Sequence, residues 1–335
     1  MVEEETLVYL LSDPSPCLRY RVLTELCGFP ADHPEVLELA ETRESDPLIP
    51  KYAEPTESIS LQTAISRLRC LGYLGFDRFH QSVKVLAEHV FSFQRNDGSW
   101  PLPGLADEHE DKEGTEGYSM VPLQTALPLV GLSACGYSAD NRSGKGYRWL
   151  LSKQLPDGSW PTGSSSGVNG RVAGYRKLSH SRWGCRSNTT AALMSLAWHS
   201  EHRRAAGPRR GLDLLLGRGK QEAGNIGFEV SRGIGAEPTR GFFTYFARED
   251  AGLVLEICRR FAISIEDRRV YRIRDFILSQ RNGAGLWIYS RRNQVSRWIT
   301  FFLLRSIYGP VDEDSWIGSE PETAFQEYPK TPRRW

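Results

Sequence analysis

The hydrophobic residues of this 335-residue chain fall into two alternating kinds of segment. In the first kind, apolar residues recur three and four positions apart, and polar residues occupy the positions between them. This spacing puts the apolar side chains on one face of a helix, so these segments are predicted to be amphipathic α-helices. The clearest examples carry Val83, Leu86, Ala87, Val90 and Phe91, then Tyr147, Leu150 and Leu151, then Val270, Ile273 and Ile277.

Segments of the second kind precede these helices and are apolar on nearly every side. They include residues 123–132 and 189–196, and others begin near Leu61, Asp250 and Trp298. A helix that is hydrophobic all round is expected to be buried on all sides. Buried helices that alternate with amphipathic ones predict an inner ring within an outer ring. The predicted fold is therefore all-α, a toroid of about five to six helical hairpins.

A repeated turn follows the amphipathic helices. Gln94–Trp100 and Gln154–Trp160 share the pattern Q-x-x-D-G-S-W, lie 60 residues apart and are each followed by proline. A looser copy, Gln280–Trp287, begins 126 residues after the second. Glycine can adopt the left-handed conformation that ends a helix, and a following proline cannot continue one. The repeat therefore marks the end of each amphipathic helix and supports an architecture of stacked hairpins.

These turns resemble the QW motifs of squalene–hopene cyclases and related triterpene cyclases. The resemblance covers residues 55–308 and implies an α/α toroid, in which the Gln and Trp side chains tie an outer helix to the next inner helix. Residues 1–54 are then predicted to be an N-terminal helical extension joined to the toroid, and residues 309–335 a C-terminal tail. The same toroid serves prenyltransferases, polysaccharide lyases and binding proteins, so the resemblance predicts the fold more closely than the reaction.

Composition and charge narrow the possible partners. The net charge is +1, which gives no reason to expect nucleic-acid binding. No run of eighteen apolar residues is present, so no transmembrane segment is expected. The start of the chain is acidic rather than basic, which argues against a secretory signal and favours a cytoplasmic location. The six cysteines form no CxxC pair, and a disulfide framework is not expected.

A candidate site follows from the predicted ring. The loops after the repeated turns and the N-termini of the inner helices share one rim, where arginines and the positive ends of the helix dipoles suit a phosphate or diphosphate. Six carboxylates between Asp107 and Glu116 could hold Mg²⁺ there, or could simply be a solvated loop. Aromatic residues on this rim could stabilise carbocations or only pack in the core. The candidate substrate-binding residues are Arg176, Arg182, Trp183, Arg186, Phe246, Arg248, Arg297 and Trp298.

The resemblance also implies a place for a catalytic acid. Class II terpene cyclases protonate their substrate with an Asp of a DxDD motif that is followed by Thr-Ala. Here Asn188 occupies the acid position before Thr189-Thr190-Ala191, and an amide cannot act as that acid. Glu249 and Asp250 begin the next inner helix and are the alternative proton donors. The candidate catalytic residues are Asp250, Glu249, Asn188 and His180.

Prenyltransferase β subunits offer a second comparison, because they bind Zn²⁺ with an Asp, a Cys and a His at inner-helix starts. Cys185, His180 and Asp250 are chemically suitable ligands, although the family's Asp-x-Cys arrangement is missing. The sequence thus leaves Mg²⁺ and Zn²⁺ open as cofactors and requires neither. His199, His202 and the neighbouring arginines form a patch that could meet anionic lipid headgroups at a membrane surface, or could be a solvated turn.

The favoured function is a terpene-cyclase-like isomerase or lyase that acts on an isoprenoid, such as a prenyl diphosphate, by acid–base and carbocation chemistry in a central apolar cavity. Three alternatives stay open. They are a zinc-dependent prenyltransferase-like enzyme, a non-catalytic toroid that binds a lipid or a protein, and a carbohydrate-active toroid with an open cleft. An enclosed apolar cavity would favour the isoprenoid.

Overall fold

The structure is a computed structural model that describes residues 2–49, 59–100, 122–161, 178–217, 226–236, 250–289, 293–309 and 315–322. Within these ranges the regular structure is helical, and β-structure is limited to two isolated bridges. The all-α prediction is confirmed. In chain order the α-helices are α1 (Glu4–Leu11), α2 (Pro16–Glu25), α3 (Pro34–Thr42), α4 (Leu61–Leu74), α5 (Gln81–Ser92), α6 (Pro122–Ala134), α7 (Asn141–Ser152), α8 (Arg186–Leu196), α9 (Ala206–Leu216), α10 (Phe228–Gly233), α11 (Ala251–Arg260), α12 (Arg268–Ser279) and α13 (Asn293–Tyr308).

The helices form the two rings that the hydrophobic pattern predicts. Every residue of α8 is buried, and α6 is buried along nearly its whole length, as an inner helix must be. The helices α5 and α12 bury only one face, through the apolar residues predicted from their spacing. Neighbouring inner helices pack in the order α4, α6, α8, α11 and α13, and each of α5, α7, α9 and α12 packs against the inner helix before it.

The N-terminal helices close the ring. The helices α1 and α2 both contact α13, and Arg305 of α13 pairs with Glu25 of α2 at 3.1 Å. On its other side α2 meets α4, because the Arg21 guanidinium donates a hydrogen bond to the backbone carbonyl of Tyr73. Among the described helices, six inner ones therefore surround the centre: α2, α4, α6, α8, α11 and α13. A ring built in this way places α4 opposite α11.

The repeated tryptophans join the two rings by the same pair of hydrogen bonds. Each indole N–H donates to a carbonyl ten residues earlier in the preceding outer helix, at 2.7–2.8 Å. Each tryptophan backbone N–H donates to a threonine hydroxyl near the start of the next inner helix, at 3.0–3.2 Å. The acceptor threonines are Thr125, Thr189 and Thr300. A buried indole with a satisfied N–H contributes both apolar contact area and a directional link.

The glutamine position differs in the third copy. The amides of Gln94 and Gln154 donate to the carbonyls of the turn glycines at 2.9 and 2.8 Å. In the third turn Arg281 takes this place and donates from Nε to the Gly285 carbonyl at 2.8 Å. The prediction that Gln280 is the equivalent residue is wrong, because Arg281, not Gln280, lies six residues before the tryptophan. Gln280 instead contacts the exposed hydroxyl of its neighbour.

The turn glycines allow each turn to pack against the following outer helix. Gly98 and Gly158 have positive φ angles of 96° and 95°. A Cβ atom on Gly158 would lie 2.7 Å from the backbone nitrogen of Gly211 in α9. A Cβ atom on Gly98 would lie 2.5 Å from the backbone of Lys145 in α7. Only glycine combines this conformation with so close an approach.

Residues 315–322 lie against the outer side of the ring. The Trp316 indole donates to the Phe261 carbonyl at 2.8 Å, and the backbone N–H of Ser319 donates to the Asp213 carboxylate of α9 at 2.9 Å. Arg269 of α12 pairs with Asp213 at 2.7 Å behind this segment. In the part of the chain that is described, no helix combines the length and the hydrophobicity that crossing a membrane requires.

Candidate functional site

A pocket of about 540 Å³, with the solvent at its mouth included, lies inside the ring. All six inner helices contribute to it through their C-terminal halves or the residues just beyond them. One part of its wall is apolar and is formed by residues such as Val130, Met194, Trp198, Leu253, Ile257 and Phe302. The other part carries the polar side chains Arg21, Arg69, Tyr73, Glu256, Arg260 and Arg305. Apolar pockets with a few convergent polar groups are the usual form of a small-molecule site.

Glu256 of α11 is the centre of the charged part. Its carboxylate accepts from Arg260 Nε at 2.6 Å, from Arg305 Nη2 at 2.8 Å and from both Nε and Nη2 of Arg259 at 3.1 Å. The Ser306 hydroxyl donates to it at 2.9 Å. Burial opposes ionisation of this group, but the three guanidinium groups outweigh it, so the Glu256 pKa lies well below its ordinary value. The side chain is therefore an ionised and fully occupied acceptor.

Arg305 links this centre to α2. It donates to Glu25 from Nη1 at 3.1 Å, while Arg21 holds the same carboxylate through Nε at 2.5 Å and Nη2 at 3.0 Å. Burial would raise the Glu25 pKa, but attraction to Arg21 and Arg305 lowers it to about 2. Arg305 also lies over the Phe302 ring, at 5.1 Å from its centroid. The network thus ties α2, α11 and α13 together beside the pocket.

A second ion-paired group lies on α4 and α10. Arg69 pairs with Glu229 at 2.7 Å, and Arg232 pairs with the same carboxylate at 2.9 Å. Burial opposes ionisation of Glu229, but the two arginines lower its pKa below the ordinary value. Buried charges of this kind are tolerated when they are paired and hydrogen-bonded.

Tyr73 stands between the two charged groups. Its ring meets the edge of Phe302 with centroids 6.1 Å apart, and its hydroxyl lies near Arg69. The ring packs on the backbone of Gly233, where a Cβ atom would overlap it. Burial raises the Tyr73 pKa, and the nearby Arg69 only partly opposes this. The phenol is therefore neutral at neutral pH and can both donate and accept a hydrogen bond.

Arg260 differs from the other arginines of the pocket. Within the described part of the chain it donates only from Nε, and its two terminal amino groups have no hydrogen-bond partner there. The guanidinium lies over the Trp198 ring at 3.6 Å from the centroid, a stacked cation–π contact that orients it. Burial lowers the Arg260 pKa to about 10, so the group still carries its charge at neutral pH.

The described residues among the predicted catalytic candidates lie outside this pocket and have other partners. Asp250 caps α11, and its carboxylate accepts backbone N–H bonds from Gly227, Glu229, Gly252 and Leu253 at 2.9–3.2 Å. Four such bonds leave it little capacity to bind a substrate. Asn188 is fully buried and joins two elements, since it accepts from the Leu123 N–H and donates to the Pro161 carbonyl. Glu249 lies outside the described residues.

The predicted zinc ligands are not brought together. Cys185 is buried at the start of α8, where its backbone N–H donates to the Trp160 carbonyl at 2.8 Å. His180 has a positive φ of 60° in an exposed turn, and its Nδ1 lies 3.7 Å from Glu320. Across the described ranges no group of three or more His, Cys, Asp or Glu side chains is arranged to hold a metal ion. The predicted zinc ligands Cys185, His180 and Asp250 therefore do not form such a group.

The predicted substrate-binding residues also lie away from the pocket wall, where they are described. Trp183 is half-exposed and stacks with Arg182 at 5.0 Å, and Arg186 is buried in the first turn of α8. Arg297 pairs with Asp13 at 3.1 Å. Trp298 is buried and meets the edge of the Phe301 ring. The residues Arg176, Phe246 and Arg248 and the acidic segment 107–116 lie outside the described residues.

The candidate membrane patch has a local structure of its own. The rings of His199 and His202 stack with centroids 4.0 Å apart, and both lie against Tyr147. Burial lowers the pKa of both histidines, that of His202 to about 4. Both rings are therefore neutral at neutral pH and add no charge to the neighbouring arginines. Contact between this patch and anionic lipid stays a prediction.

Sequence reasoning missed the charged residues of the pocket, although a signal for them exists. Glu256 lies within the apolar run Leu253–Cys258, Arg305 follows Phe301–Leu304, and Arg69 lies between Leu68 and Leu71. Charged side chains inside helices that are apolar all round are costly to bury and need a partner or a function. The sequence does not say that these three helices meet at one pocket.

Comparisons with known proteins agree with the repeated turns. Residues 61–171 match the family model of the squalene-hopene cyclase C-terminal domain, so the predicted resemblance is confirmed for this part of the chain. No curated protein matches the chain. Among solved structures, the chain is similar to the apo form of the type II terpene cyclase MstE from Scytonema, at 11% identity and a TM-score of 0.46, over 90% of this chain and 95% of that one.

Two ligand complexes of variants of the same cyclase are also similar to this chain. One contains geranylgeranyl dihydroxybenzoate, described as the substrate, and has a TM-score of 0.41. The other contains merosterolic acid A, described as the product, and has a TM-score of 0.40. Each is 11% identical and covers 90% of this chain and 84% of its own.

Proposed function

We propose that this protein is a terpene-cyclase-like enzyme, an isomerase or lyase, that acts on an isoprenoid with an anionic head such as a prenyl diphosphate. The observation that carries the proposal is the wall of the central pocket, which aromatic and aliphatic side chains form together with four guanidinium groups. The family match supports it, because residues 61–171 include Arg69 and Tyr73 of that wall.

The apolar and the charged side chains of the wall would contact different parts of the substrate. The apolar part removes the hydrocarbon chain from water, which contributes about 0.8 kcal/mol for each buried CH₂ group. The guanidinium groups attract the anionic head. Their positive charge would oppose a carbocation in the same pocket, and a bound anion removes that opposition. The faces of Trp198 and Phe302 that Arg260 and Arg305 do not cover would then stabilise a cationic carbon by the attraction of their π-electrons.

Proton transfer is assigned to Tyr73. Among the described residues of the wall, Glu256 is ionised and its oxygens are occupied, and the arginines hold their protons too firmly to give them up. Donation of the Tyr73 proton to a double bond of the substrate would form a carbocation and leave a phenolate beside Arg69, and return of a proton from a later carbocation would restore the neutral phenol. Asp250, the acid predicted from the sequence, is committed to capping.

The experiment compares two tryptophans that each carry a stacked arginine. Trp198 lies in the pocket wall, and Trp183 lies in the rim predicted from the sequence. Purified protein is incubated with farnesyl and geranylgeranyl diphosphate, with and without Mg²⁺, and the organic products are identified by gas chromatography and mass spectrometry. Trp198→Ala is expected to lower kcat/KM at least about tenfold by removing wall area and an aromatic face. Trp183→Ala is expected to stay near the wild type.

Other outcomes change the proposal in defined ways. A loss of kcat/KM with Trp183→Ala but not with Trp198→Ala would place the active site at the predicted rim and refute its assignment to the pocket. Stoichiometric binding of both diphosphates without any product would leave a non-catalytic lipid-binding toroid. Absence of both binding and turnover would refute the isoprenoid substrate.

A further inference from the structure

The charged wall of the pocket contains more positive than negative groups. Four arginines form one connected network with two carboxylates, and this leaves an excess of two positive charges; the six side chains are Arg21, Arg259, Arg260, Arg305, Glu25 and Glu256. The C-terminal ends of the inner helices that meet the pocket bring up to roughly half a negative charge each, which offsets this excess across the pocket as a whole. Around Glu256 itself, the buried side chains carry more positive than negative charge.

The hydrogen-bond donors of the network are not equally occupied. Arg21 uses Nε and Nη2 on Glu25 and Nη1 on the Tyr73 carbonyl. Arg305 uses both of its Nη groups on the two carboxylates. Arg260 uses Nε alone, and its two terminal amino groups stay without a partner within the described ranges. Among the arginines of the network that line the pocket, Arg260 therefore has the most unmet donors, and Arg305 has one, at its buried Nε.

The orientation of Arg260 is held from two sides. The bond from Nε to Glu256 at 2.6 Å fixes one edge of the guanidinium, and the Trp198 ring supports its face at 3.6 Å. The edge with Nη1 and Nη2 is the remaining one, and a planar guanidinium edge matches two oxygens of one oxyanion. Its orientation is set before a ligand arrives, so little side-chain entropy is lost on binding.

We propose that Arg260 is the primary contact for the anionic head of the substrate, and that this head is a phosphate or diphosphate bound at the C-terminal ends of the inner helices. The inference rests on the proposed function, since it assigns the head-group end of the same pocket. Before the helix ends are counted, the side chains of the network carry two excess positive charges, and a phosphate-type head offers more negative charge and more oxygen acceptors to meet them than a carboxylate does. Arg69 of α4 lines the same pocket from the opposite side of the ring and adds to the attraction.

The test uses inorganic diphosphate as the probe and calorimetry at low ionic strength, because salt screens such contacts. Arg260→Gln is expected to weaken diphosphate binding at least about tenfold, and Arg260→Lys, which keeps the charge but loses the fork, by a smaller factor. Arg259→Gln is the matched control. This neighbour holds the same Glu256 but does not line the pocket, so its loss is expected to weaken binding less than about threefold.

Two controls keep the test decisive. Thermal melting shows whether each variant is folded. If Arg260→Gln is not folded, the proposal still requires that Arg260→Lys weakens diphosphate binding. Equal losses of diphosphate affinity in Arg260→Gln and Arg259→Gln would indicate that binding depends on the overall positive charge and not on contact with Arg260. That result would overturn the assignment. Farnesoate that binds as tightly as farnesyl diphosphate would overturn the choice of a phosphate-type head.

The outcomes for the head group and for the reaction are separable. Diphosphate binding that depends on Arg260, in a protein that does not turn over prenyl diphosphates, would keep the anion site and refute the proposed enzyme. Turnover of prenyl diphosphates that is unaffected by Arg260→Gln would keep the enzyme and refute the anion site.

Discussion

Replacement of Glu256 by glutamine tests the charge network most directly. Glutamine keeps the size of the side chain and removes its charge. In the wild type the carboxylate receives hydrogen bonds from Arg259, Arg260, Arg305 and Ser306. Without it, the three guanidinium groups would face each other with Glu25 as the remaining carboxylate of the network. Both the lost attraction and the new repulsion act in a region where water screens them poorly.

The expected loss can be bounded from the structure. The Glu256 side chain is 7% exposed, and that of Arg305 is 8% exposed. Removing one member of a buried ion pair costs about 3–5 kcal/mol, because the other charge is left without compensation. Glutamine can still accept some of the same hydrogen bonds through its carbonyl oxygen. We therefore expect the free energy of unfolding to fall by about 3 kcal/mol or more.

Urea unfolding followed by tryptophan fluorescence measures this loss. The matched control is Glu266→Gln, an exposed glutamate that follows α11, for which a change within about 0.5 kcal/mol is expected. A loss below about 1 kcal/mol for Glu256→Gln would mean that the network behaves like a surface ion pair, and would refute the claim that it is desolvated.

The same carboxylates predict how stability changes with pH. The pKa of Glu256 is lowered well below 4.5 in the folded protein, and that of Glu25 is lowered to about 2. A lowered pKa means that the ionised form stabilises the fold, so this stability is present above the unfolded pKa and is lost as pH falls. The melting temperature is expected to decline below about pH 4.5, and less steeply in Glu256→Gln. An equal dependence of melting temperature on pH in the wild type and in Glu256→Gln would contradict the lowered pKa of Glu256.

Four further predictions concern the turns and the pocket. Trp160→Ala is expected to cost about 3–5 kcal/mol of unfolding free energy in urea, because a fully buried ring and its link to α8 are lost. Gly158→Ala is expected to cost at least about 1–3 kcal/mol for the positive φ alone, and an unchanged denaturation midpoint would refute the close packing. Arg281→Gln is expected to change stability by less than about 1 kcal/mol, because glutamine serves in the other two turns and the pair with exposed Glu3 contributes little. In the absence of urea, folded Glu256→Gln is expected to bind inorganic diphosphate more tightly than the wild type, because one negative charge is removed from the network. Weaker binding in calorimetry would contradict the excess of positive charge assigned to the network.

Much of the architecture follows from local pattern. The spacing of Val83, Leu86 and Val90 requires a helix with one apolar face, and the run from Leu123 to Leu132 requires a helix buried on all sides. The predicted role of the turn glycines as helix ends is wrong, because the outer helices end at Ser92, Ser152 and Ser279 and the glycines with positive φ lie six residues further on, where they shape the turn. Hydrophobic spacing is a short-range effect, so it can be read from neighbouring letters in the sequence.

Local pattern gives less guidance on the candidate site. Sequence reasoning chose the rim with the inner-helix N-termini, since arginines are frequent in its loops. The structure places one cluster of buried charges at the C-terminal ends, where Arg305 joins Glu25 and Glu256. These two carboxylates lie 280 and 49 positions from Arg305 along the chain. The sequence predicts Asp250, with Glu249, as a proton donor at a helix start. In the structure Asp250 accepts hydrogen bonds from Gly227 and Glu229, and these partners are too distant in sequence to be predicted from local pattern.

The sequence by itself therefore determined the kind of helix at each position, the turns between helices and the toroid that they build, because hydrophobic period and turn chemistry act over a few residues. Only the tertiary structure decided which charged side chains share one pocket. Closure of the ring by α1 and α2 against α13 brings Arg21 and Glu25 beside residues from the other end of the chain. Attraction between charges depends on their separation in space, and separation along the chain does not reveal it.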